Sequence, residues 1–417
     1  MYGSNGIIGW HDRALTNGPT VIIGRKGTVG QVRYSPVSCW PIDTTFYVEA
    51  SAERDVRFVY FLLSALGLET MNSDSAVPGL NRDAAHSRSI LVPRIAEQHA
   101  IARILGALDD KIELNRQMNE TLEAMARALF KSWFIDFDPV RAKADGRDPG
   151  LPADIAALFP DSFQDSVLGE IPKGWDAKRL ADLCSTQYGY TASAASEPVG
   201  PKYVRVTDIN KRNWIEWGDV PYCAIDADAR DVYALRVGDL VVARMADPGK
   251  SAIIEEDIDA VFASYLVRLK TPSLAQSYYI YGFLKSDLYT EYAEGAKSGS
   301  VQANMNAKVI VDVSCVVPPP DLMQQYVNIV LPLRRRLVAS SHESHTLTTL
   351  RDTLLPKLMS GELRGAKSLL PEGGRACSKG YASESGDPVR YSRVELDGTE
   401  QPGGNGDAVR VRSRREP

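Results

Sequence analysis

At 417 residues the chain exceeds what one hydrophobic core usually holds, so two or three globular units are expected. It is 44% hydrophobic and 24% charged, so most of it can fold; no run of about 18 apolar residues offers a membrane span, and the first residues are too polar and glycine-rich for a signal peptide, which places the protein in the cytoplasm. The formal net charge of −5 lends no support to nucleic-acid binding, although it leaves a local basic face open.

In chain order, the first clear element is the β-branched run Thr20-Val21-Ile22-Ile23, a strand that enters the glycine-containing turn Gly24-Arg25-Lys26-Gly27-Thr28-Val29-Gly30. An irregular polar stretch over 72–81 follows, then a short apolar strand ending in Pro93, then a long helical pattern from Glu97 to Phe134. Asp136-Phe137-Asp138-Pro139 ends that helix, because proline cannot continue it and disfavours helix at Asp138. Residues 136–167 read as a linker with one short helical segment near Ala153–Phe159. The second half repeats the first. Asp239-Leu240-Val241-Val242-Ala243 runs into Arg244 and a turn closing at Gly249-Lys250; a polar stretch over 297–306 leads to a strand ending in Pro318-Pro319-Pro320; and a helix runs from Asp321 to about Ser360. Leu80-Asn81 stands as far before Pro93 as Met305-Asn306 stands before Pro318. Residues 362–417, rich in Gly, Ser, Arg and Glu, read as a disordered tail.

Both helices carry a heptad-like stripe: Ile101, Leu105, Leu108, Ile112, Asn115, Asn119, Leu122, Ala126, Leu129 and Trp133 in the first, and Val330, Leu333, Leu337, Ser340, Ser344, Leu347, Arg351, Leu354 and Leu358 in the second. Each turns polar at its middle. Antiparallel pairing would set Asn115 and Asn119 near Ser340 and Ser344, where the polar layers satisfy one another and fix register; parallel pairing also brings the middles together, and connectivity favours the antiparallel form. A helix from Glu97 to Phe134 spans roughly 57 Å, the length of a rigid separator. The fold class is therefore α+β, two pseudo-repeated mixed modules separated by two long helices in an antiparallel coiled coil.

Motifs for catalysis are weak. Gly249-Lys250-Ser251 lacks the glycine a phosphate loop needs five residues earlier, where Arg244 stands, and His342-Glu343-Ser344-His345 is one residue short of a zinc helix. Asp136 and Asp138 sit beside a proline at a helix end without the partners of a metal-dependent nuclease. The five cysteines, Cys39, Cys184, Cys223, Cys315 and Cys377, form no C-x-x-C pair and read as free thiols. Neither a catalytic set, a cofactor site nor a metal site is expected in this chain. DNA contact is better supported: Arg25, Lys26 and Thr28 follow a strand in the first module, and Lys202, Tyr203, Arg205, Thr207, Arg244, Lys250, Ser251, Lys297, Ser300 and Gln302 give the second the same mixture of cations, hydroxyls and exposed backbone.

Certain phrases carry a family resemblance: Tyr2-Gly3-Ser4-Asn5-Gly6-Ile7-Ile8-Gly9, Gly24 to Gly30, Glu97-Gln98 leading to Leu105-Gly106-Ala107-Leu108-Asp109-Asp110-Lys111-Ile112, and Leu129-Phe130-Lys131-Ser132-Trp133-Phe134. In the second half they are Gly169-Glu170-Ile171-Pro172-Lys173-Gly174-Trp175, Lys297 to Ser300, and Leu354-Leu355-Pro356-Lys357-Leu358-Met359-Ser360-Gly361. From residue 1 to about 364 the chain resembles the specificity subunits of type I restriction-modification enzymes. The resemblance implies target-recognition domains over 1–94 and 168–320, each reading half of a bipartite site in double-stranded DNA, with long helices at 95–135 and 321–361. It further implies docking of two modification subunits that use S-adenosylmethionine to methylate adenine, and of restriction subunits whose motor and nuclease use ATP and magnesium. Aligning Arg25 with Arg244 leaves the first module without a counterpart to roughly 168–202, so it is expected to be N-terminally incomplete. Two alternatives follow: a half-functional subunit that reads only through the second module, and a stand-alone nuclease.

Overall fold

The computed structural model describes residues 1–71, 79–81, 85–87, 90–297, 304–364, 392–397, 407–408 and 410–413. The chain divides into two compact units, one comprising 1–113 with 346–417 and the other 114–345. Mixed helix and strand in a repeated order, with two long helices, bear out the α+β class expected from the sequence.

Unit 1 opens on a two-strand hairpin, β1 (Tyr2–Gly3) and β2 (Gly6–Ile7). The β-branched run becomes β3 (Thr20–Gly24), the central strand of an antiparallel set, buried along its whole length. It pairs with β4 (Val32–Ser35) on one side, Ile22 facing Arg33, and with β5 (Thr45–Glu49) on the other, Ile22 facing Tyr47. Helix α1 (Val56–Ser64) starts at Asp55, whose carboxylate accepts from the amides of Arg57 and Phe58 as an N-cap. Val59 and Leu63 of α1 pack on Val21, Ile23, Phe46 and Val48, while Phe58, Phe61 and Leu62 meet the long helices. Strand β6 (Ile90–Val92) then leads into α2 (Ile95–Phe134), whose Ile101 and Leu105 pack with Leu358 in this unit. Arg351 pairs with Asp109 at 2.8 Å, and Arg57 grips Asp110 with both guanidinium nitrogens.

Unit 2 begins within α2. Phe130, Trp133 and Phe134 enter an aromatic cluster with Phe159, Trp175, Tyr279 and Tyr326, with ring separations such as 5.3 Å between Phe134 and Tyr279. The stretch expected to be a linker is folded into this cluster. Pro139 sits in the first turn of α3 (Asp138–Ala144), where its missing N–H costs nothing, so the proline that ends one helix starts another, with Phe137 turning the corner at φ 54°. Val140 and Phe159 are buried, and α4 (Ala153–Ala156) realises the short helical segment. A hairpin of β7 (Phe163–Ser166) and β8 (Gly169–Pro172) then delivers Trp175.

The second module adds β9 (Asp176–Arg179), β10 (Ser185–Tyr188), β11 (Lys202–Val204), α5 (Val206–Ile209) and α6 (Ala227–Tyr233) before reaching the part it shares with unit 1. That shared part is β12 (Leu240–Ala243) between β13 (Ser251–Ile253) and β15 (Leu266–Lys270), both antiparallel to it, with β14 (Ala260–Phe262) parallel to β11. Helix α7 (Leu274–Leu284) corresponds to α1; α8 (Asp287–Lys297), α9 (Ala307–Val311) and β16 (Ser314–Val317) follow, and α10 (Pro320–Met359) completes the repeat. β10 lines β15 and β9 lines β16, each antiparallel.

Inside unit 2 the two long helices run antiparallel, because Asn115 meets Ser340 and Glu343 while Glu123, further along α2, meets Arg334, further back on α10. Asn115 Nδ2 donates to the Glu343 carboxylate at 2.8 Å and to the Ser340 carbonyl at 3.4 Å. The expected mutual satisfaction of the polar layers is partial: Asn119 Oδ1 and Ser340 Oγ are buried without a partner among the described residues, and Glu343 rather than Ser344 answers Asn115.

Beside this layer, Arg334 is 2% exposed between the carboxylates of Glu123 and Glu255, with its guanidinium 5.3 Å from the Tyr281 ring. Burial opposes its charge, yet its neighbours, Glu255 and Glu123 among them, hold its pKa well above the ordinary arginine value. Lys285 lies alongside, donating to Ser251 O at 2.6 Å and Asn213 Oδ1 at 3.2 Å, and burial pushes its pKa down to about 8. The unfolded chain therefore holds the extra proton between about pH 8 and the ordinary lysine value of 10.5, so the contribution of Lys285 to stability rises with pH across that window. Urea titrations at pH 7.5 to 10 should show the wild-type advantage over Lys285→Met growing with pH; a constant difference would contradict the enclosed geometry.

Strands β17 (Ser392–Asp397), β18 (Asp407–Ala408) and β19 (Arg410–Ser413) belong to unit 1, β17 against β6 and β18 against β5. No described helix is long and apolar enough to cross a membrane.

Candidate nucleic-acid interface

The two modules each hold one arginine by the same backbone scheme. In unit 1, the Arg25 amide donates to Thr44 O and the Arg25 carbonyl accepts from the Leu80 amide, both at 2.9 Å. In unit 2, the Arg244 amide donates to Tyr265 O and its carbonyl accepts from the Met305 amide, again both at 2.9 Å. The turns that follow also match: Gly24 N–H to Gln31 O and Gly30 N–H to Gly24 O in one, Ala243 N–H to Lys250 O and Gly249 N–H to Ala243 O in the other. The equivalence of Leu80-Asn81 with Met305-Asn306, read from spacing, is thus a shared backbone contact that seats each arginine.

Glycine is required where each turn closes. Gly30 adopts φ +73° and Gly249 φ +91°, and a Cβ at Gly30 would meet the backbone of Leu68 and Glu69 at 2.3 Å, while one at Gly249 would meet Ala293 Cβ at 2.7 Å. Ala246, in the same turn as Gly249, is held at φ 64°, a conformation that costs a residue with a Cβ of order 1 kcal/mol and marks the turn as constrained by its surroundings.

Aromatic rings steady both guanidinium groups: Arg25 lies 5.4 Å from the Phe46 ring centroid and Arg244 5.0 Å from that of Tyr188. Arg244 also reaches the Ser264 carbonyl at 3.5 Å, and its Nε is buried without a hydrogen-bond partner among the described residues. Segment Ala263–Tyr265 joins the parts of the second module, since Ala263 N–H donates to Val204 O beside Arg205, Ser264 N–H to Tyr190 O, and Tyr265 O accepts from Arg244. Tyr188 closes the set by accepting the Ala307 amide on its hydroxyl at 3.0 Å. Tyr188, Ser264 and Tyr265 were not legible as site residues, because the ring under Arg244 arrives on a strand more than 50 residues upstream. A stacked, half-buried guanidinium keeps its planar fork oriented, the geometry suited to the edge of a guanine or to a phosphate.

The other residues expected at DNA separate into three groups. Lys26, Thr28, Thr207 and Lys250 are exposed. Lys202 and Arg205 are half-buried and engaged: the ammonium of Lys202 donates to Val220 O at 2.7 Å over the Tyr222 ring, and Arg205 is doubly bonded to Asp208. Tyr203 and Ser251 require correction. Tyr203 is 4% exposed with its hydroxyl donating to Tyr190 O, and burial raises its pKa. Ser251 is fully buried in β13. Both strands are covered along their length, Val204 beside Tyr203 and Ala252 beside Ser251 being buried too, a state that a basic or polar stretch taken whole does not reveal. Lys297 ends α8, and Ser300 and Gln302 lie outside the described residues.

Among the described residues no three or more His, Cys, Asp or Glu side chains cluster so as to hold a metal ion. Asp136 pairs with Lys131, and Asp138 occupies the first turn of α3. His342 pairs with Glu256.

Comparison with known proteins follows the same pattern. The profile of the type I restriction modification DNA specificity domain matches residues 2–124. The chain is 27% identical over 330 residues to the HindI specificity subunit of Haemophilus influenzae, covering 69% of this chain and 71% of that protein. It is 28% identical over 306 residues to the MjaIX specificity subunit of Methanocaldococcus jannaschii, covering 71% of this chain and 66% of that one. The crystal structure of a type I restriction-modification S subunit from M. genitalium shares the fold, with a TM-score of 0.53, 16% identity, and coverage of 86% of this chain and 87% of that one.

Proposed function

Because the chain belongs to the DNA specificity subunits of type I restriction-modification systems, we propose that each of its two modules reads one half of a bipartite site in double-stranded DNA. The observation that carries this is the duplicated seat of Arg25 and Arg244, two aromatic-backed guanidinium groups on matching turns. Exposed Lys26, Thr28, Thr207 and Lys250 then hold phosphates and set register, while the arginines and neighbouring loop residues read base edges. The chain supplies recognition, and the chemistry belongs to other subunits: two modification subunits that methylate adenine from S-adenosylmethionine, and restriction subunits driven by ATP with magnesium. The exposed faces of the long helices, with Leu114, Met125 and Leu350 outward, suit the docking of those modification subunits.

Co-expression with its modification subunits, followed by mapping of methylated adenines, should give a two-part motif with a fixed gap. A single continuous motif, or a palindrome assembled from one half-site only, would count against two working heads.

A further inference from the structure

On the premise that each module recognises one half-site, on which this inference rests, we propose that the turn Ser4-Asn5 is a second recognition loop of unit 1, in which Asn5 reads the edge of an adenine beside the contact made by Arg25. β1 and β2 pair Tyr2 with Ile7 and Gly3 with Gly6, so Ser4 and Asn5 make the tip of the hairpin. That tip lies on the Arg25 turn. A Cβ on Gly24 would come within 3.3 Å of Ser4 Cβ, and one on Gly27 within 3.1 Å of Ser4 Oγ. Side-chain bonds tie the two together: Arg33 of β4 donates to Asn5 O at 3.0 Å and to Gln31 Oε1 at 2.8 Å, and the Gln31 carbonyl accepts the Gly24 amide. At the base of the hairpin, the Ile42 amide donates to Tyr2 O, and Thr44, two residues on, accepts the Arg25 amide.

The matching place in unit 2 is held by residues already expected at DNA. There the Ala263 amide donates to Val204 O, and Tyr265, two residues on, accepts the Arg244 amide. Val204 therefore matches Tyr2, and Arg205 to Thr207 match Gly3 to Asn5, with Thr207 and Asn5 both exposed. Turn geometry does not explain the asparagine. The left-handed residue of the hairpin is Gly6, at φ +115°, whereas Asn5 is not in the left-handed region where asparagine is favoured over other residues. Its carboxamide makes no hydrogen bond among the described residues, while its carbonyl is fixed by Arg33. A fixed backbone carrying an unengaged carboxamide suits the paired donor and acceptor of an adenine edge, N6 and N7.

Competition binding by the full-length chain with its modification subunits, against sites altered one base pair at a time, tests this with Arg25→Ala measured alongside. Asn5→Ala should lose roughly fivefold or more of its preference at one A·T pair in the half-site that Arg25→Ala relaxes, and should leave the other half-site as in the wild type. Asn5→Asp should lose the same preference, because a carboxylate cannot donate to adenine N7, although it suits a turn as well as asparagine does; a merely structural role would leave this variant like the wild type. Wild-type base preference in Asn5→Ala, where Arg25→Ala relaxes its half-site, would overturn the adenine contact alone. No relaxed half-site in either variant would overturn the two-module reading and this contact with it. A loss spread equally over every sequence would make Asn5 a phosphate contact and overturn its base-reading role.

Discussion

Arg334→Ala is expected to destabilise unit 2 by about 3–5 kcal/mol, the usual cost of leaving buried charges without their partner. Glu123 and Glu255, 4% and 9% exposed at their side chains, would face each other's neighbourhood with no cation between them. The loss should appear as a lowered urea midpoint with an unchanged slope. Its origin is separable from simple packing. Replacing all three together, Glu123→Leu, Glu255→Leu and Arg334→Met, should recover most of the stability, because an apolar set of similar volume avoids the desolvation of the ion triad. If the triple variant is as unstable as Arg334→Ala, shape and not charge governs the junction.

Replacing Arg244 should have the largest effect on DNA binding. Arg244→Ala is expected to weaken binding to the specific site by about 1–3 kcal/mol, roughly 5- to 150-fold, and to relax sequence preference within one half-site only. Arg25→Ala should do the same for the other half-site. Competition binding against sites altered one base pair at a time checks both variants. An equal loss on every sequence, with the salt dependence reduced by about one charge, would make the arginine a phosphate contact. Melting curves for Arg244→Ala should stay close to wild type, because the backbone bonds to Tyr265 and Met305 do not involve its side chain.

Much of the architecture is written locally in the chain. The β-branched runs at 20–24 and 240–243 became central buried strands, and the 40-residue helices Ile95–Phe134 and Pro320–Met359 begin and end within two residues of where periodicity and proline put them. The antiparallel sense was also foreseen, since Asn115 meets Ser340 while Glu123, further along α2, meets Arg334, further back on α10. Such features depend on period, caps and breakers, which neighbouring residues determine by themselves. The segment 136–167 escaped because Pro139 is a stop signal for one helix and a start signal for the next, and only the buried Val140 and Phe159 show which reading holds.

The two candidate arginine sites were half legible. Arg25 and Arg244 and the spacing of Leu80 and Met305 came from comparing the chain with itself. The sequence by itself therefore determined the duplication, the long helices and the position of each arginine. Only the tertiary structure decided that Tyr188 lies beneath Arg244, that Tyr203 and Ser251 turn inward, that Arg334 is enclosed by Glu123 and Glu255, and that strands from 392–413 lie against β5 and β6. The physical reason is range. Period and turn chemistry act over a few residues, whereas ring stacking and ion pairing join groups far apart in the chain, Tyr188 with Arg244 and Glu123 with Arg334, whose meeting depends on how the whole unit packs.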